Sequence, residues 1–297
     1  MRCVILILLF TLRFFNCQSQ DLVPFRVDTL WGYKDKQGAV KIEPQFQYAT
    51  KFVGDVAIVA KNDRLGAIDK HNNQIVPFRY EYLQPLDTAE FLFGYRAKYF
   101  GEHIMGVMTK DEKVKIPAQY SYISKYKNTY KVTRNKDSII GKSAIGDVRS
   151  VSRTDGLLDS NGKVLLPCKY FRIDLANDSV LVVDSSFSTE DKKYTMTNSA
   201  LFTWKGEQLT GFDYMVFGRF IDGIAKARIG EKYGFIYLTG KLAIPIQFDY
   251  CEEFDNGYAM IKQQDKWGAI DKEGKIVIEP KFVYEEVKTT LKEKYGR

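Results

Sequence analysis

Lys266-Trp267-Gly268-Ala269-Ile270-Asp271-Lys272-Glu273-Gly274-Lys275-Ile276-Val277-Ile278-Glu279-Pro280-Lys281-Phe282 decides the fold. Residues 267–271 read as a short strand. Lys272-Glu273-Gly274 reads as its turn, because an Asp opens such turns by accepting from the backbone ahead and a Gly closes them at positive φ. Residues 275–278 read as the returning strand, with Ile276 and Ile278 on one face. Pro280 ends it, since proline cannot donate to a ladder. Phe282 is expected to turn inward. One unit upstream, Phe254-Asp255-Asn256-Gly257 introduces a third strand at residues 258–262, and residues 263–266 lead back to Trp267. The unit is predicted to be a three-stranded meander.

The same unit recurs along the chain. Taking the small residue after Trp as an anchor gives Gly32, Gly66, Gly106, Gly156, Ala200, Gly234 and Gly268, spaced by 34, 40, 50, 44, 34 and 34 residues. Fourteen residues after each anchor stand Phe46, Tyr80, Tyr120, Tyr170, Tyr214, Phe248 and Phe282. At the chain's aromatic content, seven such hits by chance have a probability on the order of one in a million, so the period is real. Six after the anchor come Gly38, Asn72, Glu112, Gly162, Gly206, Gly240 and Gly274, mostly residues that tolerate positive φ. An Ile/Val/Leu column follows at ten, with a proline close behind in every copy but the fifth, where Gly211 stands instead. The glycine beside Trp is expected to make room for an aromatic ring. Seven repeats begin near residues 31, 65, 105, 155, 199, 233 and 267, and the repeat domain is placed at 30–284. Residues 20–29 read as an N-terminal strand or linker, and 285–297 as a tail, helical or a frayed strand.

Trp31-Gly32-Tyr33-Lys34-Asp35-Lys36-Gln37-Gly38 and residues 266–275 resemble WG (KWG) repeats, and Lys232-Tyr233-Gly234-Phe235-Ile236 is the same motif with Tyr for Trp. The second to fifth copies diverge, with Leu65, Met105, Asp155 and Ser199 where Trp would stand. The resemblance implies a bacterial protein, often behind an export signal. It implies no catalytic residues.

One hairpin cannot bury its apolar face alone, so neighbouring units must stack. Seven small meanders suit a β-propeller-like ring, in which residues 25–29 would complete the last blade. The alternative is an open β-solenoid or repeat array capped by residues 287–295. The spacings of 40 and 50 predict insertions at residues 86–93 and 135–154.

The first segment differs from all others. Met1-Arg2-Cys3 and an apolar run over residues 4–12 read as a signal peptide over residues 1–19, too short to span a bilayer. Cys17 and Ser19 suit ordinary cleavage after Ser19, and lipidation of Cys17 is the competing reading. Export to the periplasm, the outer membrane or the medium is therefore expected, with no transmembrane helix in the mature chain. The net charge of +7 is spread along the chain without a basic stripe, which argues against nucleic acid. Cys168 and Cys251 sit at non-equivalent places in their repeats and read as small buried hydrophobes rather than a disulfide.

Residues that could carry chemistry are sparse. His71 and His103 read as solvated loop residues without metal spacing. Asp35, Asp69, Asp159 and Asp271 read as turn openers rather than a cation ladder. Phe91, Phe93, Tyr95, Tyr99, Phe100 and Tyr126 cluster near the insertions with interleaved lysines, and aromatic loops on a rigid scaffold are where binding concentrates. The expectation is a monomeric, non-catalytic binding or scaffold protein of the bacterial cell envelope, needing no cofactor or metal and taking a protein or glycan partner through its insertion loops. The alternatives are an envelope hydrolase with a propeller-tunnel site and a structural spacer.

Overall fold

The computed structural model describes residues 21–97, 103–144, 146–188 and 195–296. The expected leader, with Cys3 and Cys17, lies outside them. The described strands form seven antiparallel sheets in chain order, followed by one helix. They fall into two compact units, residues up to 93 with 109–113, and residues 94–108 with 114 onward.

In the first unit, Val23–Val27, Leu30–Lys34 and Val40–Phe46 make the first sheet, and Tyr48–Ala49, Ala57–Lys61, Arg64–Ile68 and Gln74–Tyr80 make the second. Tyr33, Ile42 and Phe46 of one pack on Ala57, Val59 and Ile68 of the other. The strands Tyr82–Pro85, Glu90–Arg96, His103–Thr109 and Val114–Tyr120 form the third sheet, and the division between the units runs through them. His103 therefore begins a strand, not a loop.

The second unit holds the fourth sheet (Tyr122–Tyr126, Thr129–Ser143, Gly146–Asp159, Val164–Tyr170) and the fifth (Arg172–Leu175, Val180–Ser188, Thr195–Thr203). It continues with the sixth (Met215–Ile221, Ile224–Ile229, Lys232–Tyr237, Leu242–Phe248) and the seventh (Tyr250–Cys251, Tyr258–Gln263, Lys266–Asp271, Ile276–Phe282). Alternate residues of each strand serve opposite faces. Leu181 and Val183 face Leu157 and Leu166 of the fourth sheet, while Val182 and Leu201 face Val216, Ala225 and Ile236 of the sixth. Both faces of the fifth, sixth and seventh sheets are thus buried. For the seventh, Ala259, Ile261 and Ile270 meet Phe235 and Phe248, and the outer face of Met260, Ala269 and Ile278 is covered by Val287 and Leu291 of the helix Tyr284–Tyr295. The tail is therefore helical. Glu286 caps its start by accepting from the Val283 amide at 3.1 Å, and Gly296 closes it in the left-handed region at φ 70°.

Two expectations are corrected. The sheets do not coincide with the repeats: each third strand pairs with the Trp-Gly strand of the next repeat, and a short strand after the aromatic anchor adds a fourth in several of them. The cause is the tight turn between those strands. Asn62-Asp63 and Gln264-Asp265 both hold two consecutive positive φ values, the hairpin turn that matches strand twist. Residues 25–27 correspondingly pair with Leu30–Lys34 of their own sheet rather than completing the last one. Second, Phe282 is 43% exposed, whereas the equivalent Phe46, Tyr80, Tyr120, Tyr170 and Phe248 are buried. Among the described residues no further sheet follows to cover it.

The turn chemistry is as read. All seven residues at six after the anchor have positive φ, Glu112 and Asn72 included. Asp35 Oδ1 accepts from the amides of Gln37 and Ala39, and Asp69 and Asp159 repeat the pattern. Thr203 does the same with its hydroxyl.

Candidate functional site

The residue before each anchor faces the aromatic fourteen residues after it across the strand pair in six sheets, Trp31–Phe46, Leu65–Tyr80, Met105–Tyr120, Asp155–Tyr170, Tyr233–Phe248 and Trp267–Phe282, and in the fifth copy Ser199 meets Tyr214 in an isolated bridge. This is the Trp column. Over the sixth and seventh sheets it joins the tyrosines two residues after the anchor aromatic into a half-exposed ladder. Tyr233 meets Tyr250 at 5.4 Å, Tyr250 meets Trp267 at 5.9 Å, and Trp267 meets Tyr284 at 5.0 Å between ring centroids.

In the fourth and fifth sheets the ladder is absent and a buried polar pair replaces each ring. Asp155 accepts from the Thr133 hydroxyl at 2.8 Å, from the Ile173 amide at 3.1 Å and from Lys131 at 3.1 Å. One sheet on, the order is swapped: Asp184 accepts from the Ser199 hydroxyl at 2.6 Å, and Ser199 accepts from the Val216 amide at 3.0 Å. Arg172 donates twice to the other Asp184 oxygen, at 2.8 and 2.7 Å. Asp155, Asp184 and Ser199 are nearly fully buried, so they need these partners.

A groove of about 870 Å³ opens at this place, between the fourth and fifth sheets. Asp155 and Arg172 lie on its floor. Tyr122, 55% exposed, and Phe171, 54% exposed, line it, and Ser121, Asn135, Arg153 and Ser186 add polar groups. Residues of two hairpins line it. In the seventh sheet the corresponding hairpin ends at Gln263–Lys266, but in the fourth the pairing continues from Asn135–Arg153 to Ser143–Gly146, and in the fifth through Ser185–Asn198. The insertion read at residues 135–154 is therefore an extension of a hairpin. A second groove of about 600 Å³, lined by Asp174, Asn177, Val216 and Arg219, shares Arg172 with the first.

Two members of the aromatic cluster singled out in the sequence are core residues. Phe91 and Phe93 lie in the strand Glu90–Arg96 and are 1% and 5% exposed, so they are core residues and not loop contacts. Phe93 packs edge-on against Tyr80 at 5.5 Å. Tyr95 is exposed at the end of that strand. Tyr99 and Phe100 lie outside the described residues. Tyr126 stacks on Trp204 at 4.6 Å and donates to Asp178 at 2.6 Å, a bond that raises its phenol above the ordinary value. Phe91 and Phe93 belong to the first unit, and Tyr95 and Tyr126 to the second. Tyr122 was legible as one of the aromatics near the insertions, but Phe171 and the polar pairs were not, because Asp155 and Ser199 look like decay of the motif. The signal was present: the two copies that put a polar residue at the Trp position are neighbours, and they carry the longest spacings.

Among the described residues no group of three or more His, Cys, Asp or Glu could hold a metal, and no helix is long and apolar enough to cross a membrane. Cys168 and Cys251 are free thiols, and burial pushes the Cys251 thiol up to about 12.

Comparisons with known proteins bear on the repeat alone. No curated protein matches the sequence. Two solved structures are similar at 9% identity: one titled crystal structure of the eukaryotic initiation factor, over 86% of this chain and 94% of that one with a TM-score of 0.26, and the AfRom2 CNH domain, over 87% and 82% with a TM-score of 0.21. Scores that low carry no argument. The family model described as WG containing repeat matches residues 31–64, 66–87, 233–267 and 267–284. Those stretches of the chain carry WG repeats, and the strand register continues the same alignment through the diverged copies between them.

Proposed function

We propose that the protein is a non-catalytic binding protein that holds its ligand in the groove between the fourth and fifth sheets. The observation that carries this reading is the coincidence of three features. Buried polar pairs stand at the Trp position there, two exposed aromatic side chains line the groove, and the hairpins of both bordering sheets are longer than that of the seventh. Concave sites with a few convergent polar groups are the usual place for ligands. The buried carboxylates support the absence of catalysis. Asp155 and Asp184 are each held by a hydroxyl and a cation, so both act as struts of the groove rather than as acids or bases. The leader read in the sequence supports a location in the cell envelope, the bacterial origin rests on the family resemblance, and we take the protein as a monomer. We also take the array as open rather than closed into a ring. The helix on the outer face of the seventh sheet supports this, since ring closure needs that face for another sheet. A scattering profile of a closed ring overturns that part.

The test is affinity capture from a detergent extract of the cell envelope, comparing the wild type with Tyr122→Ser/Phe171→Ser. Material retained by the wild type and lost by the variant supports the groove. Equal retention by both refutes it.

A further inference from the structure

Resting on the reading of the groove as the binding site, we infer that its ligand is a neutral oligosaccharide. The first argument is what the walls display. The lining strands Thr129–Ser143 and Gly146–Asp159 are paired on both sides, and the edge strands beside the groove, Tyr122–Tyr126 and Arg172–Leu175, are only five and four residues long. Such short edges give a peptide adding as a strand little to pair with. The groove offers side chains instead: hydroxyls and an amide from Ser121, Ser152, Ser186 and Asn135 around the two rings of Tyr122 and Phe171. A pyranose has an apolar C–H face that lies over a ring and a rim of hydroxyls that both donate and accept. That pairing of ring platform and mixed donors matches such a ligand.

The second argument is charge. Lys131, Arg153, Arg172 and Arg219 at the two grooves stand against Asp155, Asp174 and Asp184, four cations and three carboxylates. Arg172 is bound to Asp184 and Asp174, and Lys131 to Asp155 and Asp174. Base stacking on aromatics would otherwise suit a single-stranded nucleic acid, but that ligand requires a net cationic track for its phosphates. One excess cation makes no such track, which disfavours a polyanionic glycan for the same reason. The third argument is extent. The two grooves share Arg172 and together exceed what one monosaccharide occupies, which favours a chain of several sugars.

The experiment is titration calorimetry of the full-length protein with cellohexaose, chitohexaose, maltohexaose and laminarihexaose. At least one is expected to bind. Tyr122→Ala and Phe171→Ala are each expected to weaken it about tenfold, as truncating an aromatic anchor does. Both residues are more than half exposed, so the melting temperature should hold and confirm that the variants fold. Affinity should be unchanged between roughly 50 and 500 mM salt, because no charge is neutralised on binding. Binding to none of the four, binding indifferent to both substitutions, or affinity that falls steeply with salt overturns the assignment. If envelope material is still captured through Tyr122 and Phe171 while no hexasaccharide binds, the sugar inference fails and the binding site stands. Capture indifferent to those residues removes both.

Discussion

A β-carbon on Gly268 would sit 2.5 Å from the Ile278 carbonyl oxygen and 2.7 Å from the Pro280 nitrogen. The neighbour is backbone, so it cannot swing away. Gly32 and Gly234 meet the same carbonyl-and-proline bulge, and at Gly66 the Phe78 ring also closes in. The space beside Trp thus belongs chiefly to the returning strand, which bulges at its proline, and only at Gly66 to an aromatic ring as well. Gly268→Ala is expected to lose ~1–3 kcal/mol in urea denaturation, the range for forced overpacking. Gly141→Ala is the control: its nearest neighbour is 3.9 Å away, and no change is expected. Equal effects of the two would refute the bulge as the reason for the motif. Ala200 fits the same account, because its copy lacks the proline and no returning strand follows in the fifth sheet. Asp35 gives a second prediction. Burial works against its charge, but the Ala39 amide, Lys41 and the Gln37 amide outweigh that and hold its carboxyl below the ordinary 3.8. A lowered pKa stabilises the fold above the unfolded value. The wild type should therefore lose melting temperature as pH falls from about 4 through the lowered value. Asp35→Asn should flatten that slope, and an unchanged slope would count against it. Cys251, fully buried with its thiol near 12, should resist a thiol reagent at pH 8 until the protein is unfolded.

At the scale of strands, the Thr133–Asp155 and Asp184–Ser199 pairs do the work that Trp does elsewhere, tying the Trp-Gly strand to its neighbour. Ser199→Ala leaves an Asp184 oxygen and the Val216 amide without their shared hydroxyl. The expected cost is ~1–3 kcal/mol, the penalty for buried polar groups deprived of partners. Hydrogen exchange should show faster opening at Val216 and unchanged protection in the seventh sheet. Uniform loss of protection would mean that the pair supports the whole array rather than one joint. These pairs explain why the strand pattern was more legible than the site. The period of the aromatic column, the proline bulge and the positive-φ turn all lie within one repeat, and short-range spacing reveals them. The polar pairs join residues 22 and 15 apart, across the lengthened hairpins. Seen along the sequence, Asp155 and Ser199 only weaken the motif; their partners appear once the strands are in register. Phe91 and Phe93 misled in the opposite way, since a strand buried on both faces has no alternation to distinguish it from an aromatic loop. The sheet boundaries were missed because Asn62-Asp63 and Gln264-Asp265 make hairpin turns without the glycine that usually announces them.

Across the second unit, stability passes from sheet to sheet through shared faces, so each sheet depends on its immediate neighbours. The last sheet has one sheet neighbour and relies on the helix for the other face. Val287 and Leu291 are fully buried against Met260, Ala269 and Ile278, and Tyr295 packs on Tyr258 at 4.4 Å. Leu291→Ala is expected to cost ~2–5 kcal/mol, the range for a large-to-small change in a core. In a nearest-neighbour array that cost falls locally. Limited proteolysis should release the helix first, and exchange should then rise through the strands Lys266–Asp271 and Ile276–Phe282. Protection of the first sheet should stay as in the wild type. A single transition in which every sheet loses protection together would contradict this, because it would require coupling beyond adjacent faces. Local loss confined to the seventh sheet would identify the helix as a cap, the device that ends an array whose repeating unit has no outer face of its own.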